Sequence, residues 1–80
     1  MAEHILKTWP QFFELVRRGD KTFEVRKNDR NYAVGDTLLL HEFDPATDSY
    51  SGRKTDKVVT YVMRGGAFGV AEDHVVMAIR

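Results

Sequence analysis

The residues with most chemistry to offer lie in one stretch, Gly19-Asp20-Lys21-Thr22-Phe23-Glu24-Val25-Arg26-Lys27-Asn28-Asp29-Arg30. Read as a strand, its period of two sends Phe23 and Val25 to one face and Thr22, Glu24 and Arg26 to the other, with Lys21 at the strand's start. A strand face so composed is either solvated and laced with cross-strand ion pairs, each worth under about 1 kcal/mol, or a reader of anions and base edges. For the second role Lys21, Arg26 and Arg30 suit phosphate, and Glu24 can accept from an exocyclic amine or hold the arginine in place. Asn28 and Asp29 read first as turn formers, because their side chains bond nearby backbone.

Something must position these groups. Upstream, His4 to Lys7 reads as a first strand. Thr8-Trp9-Pro10-Gln11 reads as a helix start, with Thr8 as N-cap, Gln11 completing a capping box and Pro10 in the first turn. Trp9, Phe12, Phe13 and Val16 then recur at helical spacing, Arg17 and Arg18 complement the helix dipole, and Gly19 is the left-handed terminator. Downstream, strands are expected over Thr22 to Lys27, Thr37 to Phe43, Lys57 to Met63 and His74 to Ile79, with Tyr50 to Arg53 either loop or short strand. The order β-α-β-β-β-β, joined by short turns, predicts an α+β domain: a small, partly closed barrel of five to six mostly antiparallel strands with one helix packed at an end.

The 80 residues make a single domain, 1–80. Twelve basic and twelve acidic side chains cancel, unlike a binder that uses its whole surface on nucleic acid. The charge is uneven, though: residues 17 to 30 hold six bases against three acids, and residues 36 to 56 five acids against two bases. A local basic patch is compatible with zero net charge. Without cysteine there is neither disulfide nor thiolate zinc site, which fits a cytoplasmic protein. Met1-Ala2-Glu3-His4 does not resemble a secretory leader, and no apolar run approaches the roughly 20 residues that span a membrane. His4, His41 and His74 lack the spacing of local metal ligands, so neither metal nor cofactor is expected. Trp9, Phe12, Phe13 and Phe23 read as core, Trp9 being the exception to watch because it sits at the helix start and its indole needs a partner if buried, whereas Tyr32, Tyr50 and Phe68, in or near loops, are better placed to stack on a base.

Gly19-Asp20-Lys21-Thr22-Phe23-Glu24-Val25-Arg26 fits a GxKxxExR pattern. With Asn28-Asp29-Arg30, Val34-Gly35-Asp36-Thr37 and Tyr50-Ser51-Gly52-Arg53, it resembles the ASCH domains, small barrels related to PUA domains, and within them a short bacterial and phage branch of unknown function. The resemblance covers nearly the whole chain. It implies a cleft between barrel and helix, lined by Lys21, Glu24 and Arg26 and presented by Gly19, that takes RNA or a nucleotide-like ligand. Some ASCH relatives are amidohydrolases on acylated cytidine. They share the lysine but use a threonine where this chain has Glu24, and a glutamate from a later strand, for which Glu42 or Glu72 are the candidates. The resemblance therefore implies a binding module first. The alternative is an enzyme on modified nucleosides or RNA, amidohydrolase or ribonuclease, with Lys21 and Glu24 as acid/base residues.

Overall fold

The computed structural model describes residues 1–80. The elements are β1 (Glu3–Thr8), α1 (Pro10–Arg17), β2 (Phe23–Lys27), β3 (Thr37–Asp44), β4 (Ser49–Arg64) and β5 (His74–Ile79). The strands form one sheet in the order β1-β3-β4-β5-β2. β1 runs parallel to β3, and the β3–β4, β4–β5 and β5–β2 pairings are antiparallel.

This corrects the expected α+β barrel. About half the residues are strand and the one helix has eight, so the class is mainly β. The sheet does not close, because its edges, β1 and β2, share no backbone ladder. Side chains cross between them instead: Arg26 donates from Nη2 to the Lys7 carbonyl (3.0 Å), and Arg30 from Nη1 to the Ile5 carbonyl (2.8 Å). These bonds satisfy edge carbonyls that a closed barrel would satisfy with backbone.

Alternation sets the core. Leu6, Leu38, Leu40, Val59, Val75, Met77 and Ile79 point inward from their strands and pack with Val16 of α1 and with Tyr32. Tyr32 is thus a core residue rather than a stacking platform; its ring meets His4 edge-on at 4.8 Å, and burial pushes its phenol pKa up. His4 is tied to the buried Asp36 (2.8 Å), which also accepts from the backbone N–H of Ala2 and Ala33. The His4 bond, more than the two backbone N–H groups, holds the Asp36 carboxyl below its usual range.

Tyr50 to Arg53 belongs to β4, a 16-residue strand that pairs with β3 in its first part and with β5 in its second. The register slips by two residues between His41 and Phe43. Gly52, at φ +90°, supplies the left-handed residue that such an irregularity needs. Glu42, also at the slip, accepts from the Ser51 hydroxyl at 2.6 Å and lies 3.7 Å from Arg53.

Candidate functional site

α1 ends as its sequence suggests. Gly19 (φ +86°) and Asp20 return their N–H groups to the carbonyls of Val16 and Leu15, a Schellman termination. The Lys21 N–H also bonds to Leu15, which fixes where β2 begins. The helix start differs from the expectation. Trp9, not Thr8, is the N-cap, and no side chain caps it. Thr8 closes β1 as a buried residue, with its hydroxyl 3.4 Å from Arg26 Nη2.

β2 alternates with period two, but its charged face is the inner one. Glu24 is 3% exposed, while Phe23 and Val25 are 46% and 51% exposed. Phe23 was expected in the core and is not there. Trp9 and Phe12 are also half-exposed, and of the four aromatics only Phe13 is fully buried. The reason is that α1 leans on β3 along its Phe13–Val16 side and leaves its Trp9–Phe12 flank over a hollow beside β2.

The hollow has a volume of about 470 Å³, within the usual range of small-ligand sites. Trp9 and Phe12, stacked at 6.2 Å, form one wall and Phe23 with Val25 another. Lys21 and Arg26 supply two cations against the one carboxylate of Glu24; Lys7 also lines the hollow, but its ammonium lies 4.4 Å over the ring of Phe43, which does not. Glu24 divides its oxygens: Lys21 Nζ reaches Oε1 at 3.0 Å and Arg26 Nε reaches Oε2 at 2.8 Å. The sequence left open whether Glu24 and Arg26 pair internally, and they do. Lys21 is further pinned by the Phe23 carbonyl (2.9 Å) and by the faces of Phe23 and Phe12, 4.7 and 5.6 Å away. Two of its three donors are thereby used. Arg26 Nη1 makes no bond within the chain.

Of the candidates, the structure brings Lys21, Glu24 and Arg26 into this hollow. Arg30 lies outside it, in a smaller hollow of about 160 Å³ with Tyr32 and Asp29 that shares Arg26 with the first. Neither Glu42 nor Glu72 lines the larger hollow. Lys7 and Thr8 were missed by sequence reasoning, because only the position of β1 across the open edge brings them there.

Fold and site together define a small open-sheet β domain with an aromatic-walled, cation-rich hollow at one edge. The chain belongs to a family described as Domain of unknown function (DUF3850), whose model matches residues 3–79. It is similar to the uncharacterized 12.9 kDa protein in GpA 3'region of Escherichia phage P2, 44% identical over 59 residues. That match covers 74% of this chain and 52% of the phage protein, so the chain spans about half the length of that relative. No helix is long and apolar enough to cross a membrane.

Proposed function

We propose that this is an ASCH-like binding module of the cytoplasm whose hollow takes a nucleotide unit of RNA. The observation that carries the reading is the exposure of three large rings, Trp9 at 48%, Phe12 at 41% and Phe23 at 46%, around one cationic floor. Apolar surface so concentrated marks a site, and stacking a base on it recovers burial that the fold leaves unused. Phosphate is drawn to the unused donor of Lys21 and to Arg26 Nη1, while Glu24 holds both cations in place. Preformed cations save the entropy of ordering long side chains on binding.

The test is a titration with nucleoside monophosphates and short RNAs followed by backbone NMR. Perturbations are expected around residues 19 to 26 and around Trp9 and Phe12, weakening as salt rises. Equal binding by Lys21→Ala and the parent would remove the reading. The Lys21–Glu24 contact at 3.0 Å keeps a second reading in view, acid/base chemistry on modified nucleosides or RNA. Turnover of acylcytidines or small RNAs that disappears in Glu24→Gln would favour it, and no turnover across that panel retires it.

A further inference from the structure

The outer face of β2, β5 and β4 is not covered by any other element. Its residues fall in register. Phe23 pairs with Ala78, which pairs with Tyr61; Val25 pairs with Val76, which pairs with Met63. Phe23, Val25 and Tyr61 are 46%, 51% and 64% exposed. The patch is continuous with the hollow, since Phe23 and Val25 belong to both. Phe23 and Tyr61 are two strand spacings apart, roughly 10 Å, too far for one base to cover both rings.

Charge chooses the occupant. One row further along, Lys27 pairs with His74, whose Nδ1 is 2.7 Å from Asp73. On the hollow side stand Lys21 and Arg26 against Glu24. Among these residues the cations exceed the acids by one, Lys27 offsetting Asp73, although the whole chain has zero net charge. A second copy placed on the face about a two-fold axis would bring this excess against itself. A polyanion carrying flat apolar rings suits it.

We propose that the outer face of β2-β5-β4 extends the hollow into a platform for single-stranded RNA, with a base in the hollow and the next one or two nucleotides across Phe23 and Tyr61. This rests on the hollow binding a nucleotide. It sets the ligand class as an oligonucleotide rather than a free mononucleotide, and makes Tyr61, which lies outside the hollow, a contact residue.

The experiment compares nucleoside monophosphates with RNA oligomers of two to about six nucleotides on the parent, Tyr61→Ala, Tyr61→Phe and Lys21→Ala, with sedimentation of each protein alone. Tyr61 is exposed, so its truncation leaves the fold intact, and a thermal melt verifies this. Expected are a rise in affinity with length, a loss of roughly 5- to 100-fold for oligomers in Tyr61→Ala, recovery in Tyr61→Phe, and no change for monophosphates. If monophosphates bind in a Lys21-dependent way but longer oligomers gain nothing, the platform fails and the hollow stands. If neither binds, both fail. A dimer that dissociates in Tyr61→Ala, without any gain from length, assigns the face to self-association and overturns the proposal.

Discussion

Glu24 is buried between two cations that water still reaches, with side-chain exposures of 18% for Lys21 and 24% for Arg26. Removing its charge leaves both ammonium and guanidinium without their partner. Glu24→Gln is therefore expected to cost about 1–3 kcal/mol in urea unfolding, less than a fully buried pair would, because solvent screens the orphaned cations. An unchanged denaturation midpoint would show that the trio contributes nothing to the fold. Lys21→Ala is expected to reduce the salt slope of RNA affinity by about one phosphate's worth. The period of β2 puts Glu24 and Arg26 on a shared face from sequence alone. That this face is the inner one was not legible, because the choice is made by the pairing with β5, which sets Glu24 opposite Met77 and Arg26 opposite Val75, both buried and about 50 residues further along the chain. Alternation tells which residues are together, not which side is covered.

α1 is held at its C-terminal end by Gly19 and along its side by Arg53, which donates to Glu14 (2.9 Å) and lies 5.1 Å over the Phe13 ring. Nothing would touch a Cβ at Gly19, so Gly19→Ala pays only for its left-handed backbone, about 1 kcal/mol. A melting point equal to the parent's would mean the Schellman turn is dispensable. Hydrogen bonds from Arg17 and then Arg53 lower the Glu14 carboxyl from 4.5 to about 2. A depressed carboxyl stabilises the folded state above its unfolded value of 4.5, and that contribution is lost as pH falls toward about 2. Glu14→Gln is expected to flatten the stability–pH curve in this window, and a curve that keeps the parent's slope would contradict a stabilising role for the Arg17 and Arg53 bonds to Glu14. The helix end was readable because Gly19 has one structural use there. The start misled because Thr8-Trp9-Pro10-Gln11 has the capping-box pattern, yet Thr8 is committed to β1 and Arg26.

At the scale of the molecule, an 80-residue chain buries only about 60% of its unfolded surface, so its stability depends on a small core and on how its edges are finished. The strands were legible from alternation, but whether the sheet closes depends on long-range geometry that no local pattern encodes. Arg26 and Arg30, each free in the sequence to be a ligand group, are partly spent on the open edge. Arg30→Ala is therefore expected to loosen that edge by under about 1 kcal/mol and to leave affinity in the larger hollow nearly intact. The hollow itself carries a built-in reporter, since Trp9 is the single tryptophan and forms its wall. The most direct test is a titration of Trp9 fluorescence with a short single-stranded RNA at roughly 50 and 200 mM salt. A saturable change, weaker at the higher salt and reduced in Lys21→Ala, is the expected result. Fluorescence that does not respond, or that responds equally in the parent and Lys21→Ala, would contradict nucleotide binding in this hollow.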